Sequence, residues 1–192
     1  MAGRREEVLD AAIGVLGSGG LRRLTYQAVD AAAGVPAGTT SNHFRTRDAL
    51  VDGIVAHLEL LDRRDWVAFG GRPAPNGPHE LAAALARTVL HLLGPGRERT
   101  TARYALVLEG VARPAVREPL IRGRESLTVW GAQWLRDLGS PAPEEHCRTL
   151  FDFLDGMMLH QIGMPEEGFD PGPGIRTVLA GFFPADRDTG AG

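Results

Sequence analysis

The segment 25–44, TYQAVDAAAGVPAGTTSNHF, constrains the fold more than any other part of the chain. Thr25 has the side chain of a helix N-cap, with an oxygen free to accept a backbone N–H from the next turn. Val29, Ala32 and Ala33 follow at helical spacing and form a small apolar face. Gly34 stands where a helix ends in a left-handed conformation. Pro36, with its fixed φ and no N–H to satisfy, opens a second helix. That helix carries Thr39, Thr40, Ser41, Asn42 and His43 and ends on the large apolar Phe44. Small residues ahead of the turn let two helices cross closely, as a helix-turn-helix requires. Short hydroxyl and amide side chains on the open face suit the base edges of a DNA major groove.

The flanks extend this unit. Residues 4–17 place Val8, Ala11, Ala12, Val15 and Leu16 on one face, which predicts an amphipathic first helix ended by Gly17-Ser18-Gly19-Gly20. No strand precedes these glycines and their spacing is not that of a dinucleotide loop. Leu21 and Leu24 close a small core beneath the turn, and Phe44 faces Val8, Ala12 and Val29 within it. Thr46 caps a further helix with Leu50, Val51, Ile54, Leu58 and Leu61 inside, running through Trp66.

Beyond it, 70–78 (GGRPAPNGP) reads as a linker, and helix then alternates with loop. Helices are expected over 79–93 and over 98–112, the latter with Tyr104, Val107, Leu108 and Val111 inside. Pro114 opens one reaching about residue 138, with Leu127, Trp130 and Trp134 stacked at three- and four-residue spacing. Pro143 opens the next, striped by Cys147, Leu150, Phe151, Leu154, Met157 and Met158. The prolines at 171 and 173 precede a short last helix over 175–183, and 186–192 reads as a frayed tail. No segment reads as a strand. The expected fold is all-α: a three-helix head over 1–50 with its helix-turn-helix at 25–44, then a helical-bundle body over 51–188.

Charge fits that division. The chain has no Lys, and its net charge is −3; residues 1–50 hold six Arg against five acidic residues, a balance of +1, and the remainder −4. A mildly basic tip on an acidic body suits groove binding. No apolar run approaches the length of a membrane span, and the Arg- and Glu-rich start is unlike a signal peptide. A single Cys147 excludes an intrachain disulfide and fits a reducing cytoplasm.

The run LTYQAVDAAAGVPAGTTSNHFRTRDAL resembles the amino-terminal DNA-binding region of the TetR family of one-component regulators. The matching positions are Thr25, the Ala-Gly-Val turn at 33–35, Gly38-Thr39, Phe44 and the helix start at 46–50. The motif covers about the first quarter of the chain; the rest resembles the family in length and helical character. One departure stands out: many members carry a Leu-Tyr-Tyr run before the His-Phe pair, where this chain has Thr40-Ser41-Asn42. The phosphate contact usually made by a Tyr then falls to Asn42 or is absent.

On this reading Thr39, Thr40 and His43 face base edges, and Thr25, Asn42 and Arg47 hold phosphates, with Tyr26, Gln27, Ala37 and Gly38 beside them. The resemblance also implies an inducer pocket in the body, for which Tyr104, Leu108, Trp130, Trp134, Met157 and His160 are candidates. These side chains equally suit an ordinary packed core. Family members pair through their last two long helices, which makes Phe151, Leu154, Met158, Leu179 and Phe182 the candidate dimer surface.

No metal, cofactor or catalytic arrangement emerges. His79-Glu80 begins no H-E-x-x-H, and Asp152, Asp155 and His160 scatter around one helix. Cys147 on an apolar stripe reads as a small buried hydrophobe. The expected function is a cytoplasmic, non-enzymatic transcriptional regulator, a repressor that binds a double-stranded palindromic operator as a homodimer and answers a small-molecule effector. A helical enzyme or ligand carrier with a vestigial head, and a protein-interaction module, are the alternatives.

Overall fold

The computed structural model describes residues 3–70 and 75–183, and among them helices are the only regular elements. The expected tail at 186–192 and part of the expected linker, 71–74, lie outside the described residues. In chain order the helices are α1 (Arg4–Arg23), α2 (Tyr26–Ala33), α3 (Thr39–His43), α4 (Arg47–Gly70) and α5 (Pro78–Leu93), followed by α6 (Arg97–Glu109), α7 (Pro114–Asp137), α8 (Pro143–Gly163) and α9 (Gly172–Phe182).

The chain forms two compact units. The first holds α1 to α4, α6 and the start of α7 as far as Arg124; the second holds α5, the rest of α7, α8 and α9. This division runs differently from a cut at residue 50, because α6 packs on α1. The reason lies in α1: a Cβ on Gly17 would sit 2.1 Å from the carbonyl oxygen of Glu98. Only glycine admits the α6 backbone there.

The core of the first unit gathers Val8, Leu9, Ala12, Ile13 and Leu16 of α1 with Leu24, Val29 and Phe44. Leu50, Val51, Ile54 and Leu58 of α4 and Ala102 and Leu106 of α6 complete it. Phe44, 3 % exposed, lies against Gly53, where a Cβ would come within 2.6 Å of its ring. The guanidinium of Arg5 covers the ring at 5.1 Å from its centroid, a cation–π contact. Ion pairs tie α6 to α4, Arg99 with Asp65 and Arg103 with Asp62. Burial pushes the Asp62 carboxyl pKa above its ordinary value, although Arg103 and Arg99 pull it down.

Several boundaries differ from the sequence reading. Helix α1 does not stop at Gly17; it continues to a break at Gly20 (φ 68°, ψ 179°) and resumes for one short turn. Helix α6 starts at Arg97 and ends at Glu109, and its inward face is Thr100, Ala102 and Leu106. Val107, Leu108 and Val111, expected inside, are 49 %, 70 % and 80 % exposed. The close approach at Gly17 sets the rotation of α6, and three apolar residues lose the competition for the core. Helix α9 begins at Gly172, with Pro173 in its first turn rather than ahead of it.

In the second unit α8 turns Cys147, Leu150, Leu154 and Met158 inward, and α9 turns in Ile175, Leu179 and Phe182. Gly131 on α7 opens the space for α8, since a Cβ there would lie 2.8 Å from the Cys147 sulfur and 3.3 Å from the Phe151 ring. The ring of His146 stacks on Phe182 at 4.2 Å and 7°, and its Nδ1 pairs with the Ser140 hydroxyl at 2.7 Å. These contacts correct the assignment of the dimer surface. Leu154, Met158, Leu179 and Phe182 are at most 7 % exposed in a single chain, so the second unit already buries them and no partner is needed to cover them; Phe151 is half-buried.

Candidate nucleic-acid interface

The helix-turn-helix is built from local signals that work as the residues dictate. The Thr25 hydroxyl caps α2, accepting from the Ala28 N–H at 3.2 Å. Gly34 ends α2 in the left-handed region at φ 64°, ψ 32°, where a Cβ would be strained. Pro36 does not open the second helix. It lies in the turn, its carbonyl accepting from the Thr39 N–H at 3.1 Å, and α3 starts three residues later after Gly38. A third cap, the Thr46 hydroxyl on the Ala49 N–H at 3.0 Å, starts α4.

What locks α3 against α2 is a residue the sequence reading passed over. Asp30, on the inner side of α2, is 4 % exposed. Its carboxylate accepts from the backbone N–H groups of Gly38 and Thr40, each at 2.8 Å, and from the Thr40 hydroxyl. It therefore caps the open amino end of α3, where unpaired N–H groups attract negative charge. Burial alone would raise the Asp30 pKa; the hydroxyl and backbone donors of Thr40 and the N–H of Gly38 outweigh it and hold the carboxyl below its ordinary value. The available signal was a carboxylate beside Val29 among the small apolar residues of α2, which needs a partner if that side is buried.

This clasp corrects the role of Thr40. It is wholly buried, so it faces α2 and not base edges. The departure from the Leu-Tyr-Tyr run begins at this position, where a hydroxyl bonded to a buried carboxylate stands in place of an apolar side chain. Asn42 and His43 are exposed, Thr39 is half-buried, and Ala37 and Gln27 stand in solvent. The His43 ring leans on Phe44, centroids 6.4 Å apart and planes tilted by 55°.

Thr25, Tyr26 and Arg47 come together on an open cleft of about 750 Å³, with Arg22 and Glu109 beside them and Leu21, Leu24 and Leu50 lining it. The Arg47 guanidinium is not loose: it donates to the Leu21 carbonyl in the last turn of α1. Of the other basic residues near the head, Arg4 is paired with Glu7 at 2.7 Å, while Arg5 lies on Phe44.

The six candidate pocket residues divide between the two units. Tyr104 and Leu108 belong to the first unit and Trp130, Trp134, Met157 and His160 to the second. Leu108 and His160 point to solvent, because the rotation of α6 and the inward face of α8 are set by other residues. Met157 reaches α9, its methyl 3.5 Å from where a Gly174 Cβ would be. Trp130 and Trp134 do form a pair, centroids 4.5 Å apart at 51°. Among the described residues no three His, Cys, Asp or Glu side chains are grouped to hold a metal, and no helix is long and apolar enough to cross a membrane.

A helix-turn-helix with a pinned, outward second helix, followed by further helices, defines a helical DNA-binding regulator. Residues 8–54 match the family described as bacterial regulatory proteins, tetR family, and residues 76–185 match the tetracyclin repressor-like C-terminal domain. The chain belongs to the TetR family of transcriptional regulators. Among solved structures it is similar to the multidrug binding protein EbrR complexed with ethidium, at 29% identity over 95% of this chain and 100% of that one, TM-score 0.71. EbrR complexed with proflavin matches at 30% identity over 94% and 100%, TM-score 0.62. A TetR-family member from Streptomyces coelicolor A3, SCO1917, matches at 29% identity over 96% and 100%, TM-score 0.70. No curated protein matches the sequence.

Proposed function

We propose that this regulator represses transcription by binding a palindromic operator as a homodimer, and that a flat aromatic cation in its body releases it. The observation that carries the DNA-reading half is the Asp30 clasp, which fixes α3 with Asn42 and His43 outward. In this reading α3 enters the major groove with Thr39, Asn42 and His43 on its free side. The cleft formed by Thr25, Tyr26 and Arg47 follows the phosphates. Gln27, Ala37 and Gly38 flank that contact.

A single five-residue helix reads few base pairs, so specificity calls for two heads about 34–36 Å apart on successive major grooves. The outer faces of α8 and α9 support pairing: Gly156, Leu159, Gly163, Ala180 and Gly181 are all exposed, and Cβ atoms on the three glycines would meet open space. Small residues let helices approach closely.

The effector class follows from EbrR, which binds ethidium and proflavin, and from the Trp130–Trp134 pair, since indole faces attract organic cations. Release requires that the ligand bind one conformation more tightly than the operator-bound one.

Selection of a binding site from random duplexes by the full chain tests the first half; recovery of a palindrome supports it, and recovery of no motif refutes it. Both dyes intercalate into DNA, so the second half is tested without DNA. Quenching of tryptophan fluorescence by proflavin, diminished when Trp130 and Trp134 are replaced by Phe, is expected. Unchanged fluorescence at saturating dye refutes the effector class.

A further inference from the structure

We infer that Asn42 is the side chain with which this head reads a base, and that the base is adenine. The inference rests on the DNA-binding reading above. Three consecutive hydroxyls on α3 spend their hydrogens inside the chain. Thr39 donates to the Pro36 carbonyl at 2.6 Å, Ser41 to the Gly38 carbonyl at 2.9 Å, and Thr40 to the Asp30 carboxylate. A hydroxyl committed in this way still accepts, but it has no hydrogen left for purine N7, guanine O6 or thymine O4. On α3, hydrogens for those acceptors can come only from the remaining polar side chains, Asn42 and His43.

Direction separates these two. A helix turns about 100° per residue, so Asn42 stands about 200° round from Thr40, which is wholly buried. Asn42 therefore points away from the head core, while His43 lies to one side with its ring on Phe44. The Asn42 amide is exposed and has no side-chain partner among the described residues.

Chemistry then selects the base. An amide carries a donor and an acceptor on one planar group, and adenine in the major groove offers an acceptor at N7 beside a donor at N6, which an amide meets with two bonds. Guanine presents two acceptors, which call for a fork of donors such as Arg, and α3 has none. Asn42 thus becomes a specificity-determining residue and not the phosphate holder that its exposed position alone allows.

The test is site selection by the full chain and its variants on random duplexes, with melting curves to confirm that each variant folds. The wild type is expected to select one adenine per half-site over other bases by about 10- to 100-fold. Asn42→Ala should flatten that one position and leave the rest of the palindrome. Asn42→Asp, which keeps only acceptors, should turn the preference toward cytosine, whose N4 donates. Asn42→Ala binding with an unchanged motif, lower affinity and a shallower salt dependence would overturn the inference and make Asn42 a phosphate contact. If the wild type selects no motif, the DNA-reading function itself fails, an outcome distinct from an intact palindrome without the adenine.

Discussion

Removing the Asp30 carboxylate should loosen the recognition helix without touching any groove-facing residue. In Asp30→Ala three donors lose their acceptor: the N–H groups of Gly38 and Thr40 and the Thr40 hydroxyl. Gly38 is half-buried and can turn to water, but Thr40 is 0 % exposed. Two orphaned buried donors at about 1–3 kcal/mol each give a loss of about 3 kcal/mol, after allowing for the carboxylate burial that is relieved. For a unit of this size each kcal/mol moves Tm by about 4–8 °C, so the expected drop is about 12–24 °C. Thr40→Val keeps the shape and both backbone bonds and should lose about 1 kcal/mol. The double variant Asp30→Ala with Thr40→Leu removes the orphaned hydroxyl but leaves the buried backbone N–H of residue 40 without its acceptor, so it should recover about half of the loss. Thermal melting by circular dichroism measures all three, and operator affinity should follow stability.

Acidification tests the same clasp. The folded Asp30 pKa is depressed below 3.8, so its contribution is fully present above that value and disappears as pH falls through the folded pKa. The melting gap between wild type and Asp30→Asn should be constant near neutrality and close only below about pH 4. If Asp30→Ala melts like the wild type, the clasp carries no stability. If Thr40→Val keeps its melting temperature but loses preference at one operator position, Thr40 faces the groove after all.

Gly17→Ala should destabilise the first unit by at least 2 kcal/mol, because its Cβ would collide with the Glu98 carbonyl, whereas Gly14→Ala meets only the Glu98 side chain at 3.5 Å and should melt normally. Phe44→Ala should cost about 3–4 kcal/mol and lower operator affinity in proportion; a normally melting variant that fails to bind would show that Phe44 touches DNA. Leu154→Glu buries a carboxylate inside the second unit and should give insoluble or unfolded protein, while Leu159→Glu, on a residue 48 % exposed, should fold and run as a monomer in light scattering. A folded Leu159→Glu dimer would move the pairing surface elsewhere. Arg47→Ala should weaken binding equally on all duplexes and lower the slope of log affinity against log salt by about one; a change in sequence preference would refute its place on the phosphates.

Much of this protein is readable along the chain because the energies involved are local. Thr25 and Thr46 cap their helices through bonds spanning three residues, and Gly34 closes α2 through its own backbone. The apolar repeat of α4 and the proline starts of α7 and α8 depend likewise on neighbours within a turn or two. Those signals sufficed for an all-helical chain and for its family. The roles of Thr40, Leu108 and Leu154 were decided elsewhere. Thr40 looks like a groove residue until α2 brings Asp30, ten positions away, beneath it. Leu108 belongs to an apolar run, but Gly17 of α1 rotates α6 so that Leu106 is buried instead. Leu154 lies on a stripe that either a partner or the chain itself has to cover, and the second unit covers it. Periodicity says which residues share a face; only the sum of contacts among distant helices determines what that face meets, and that sum exists only once the chain has folded.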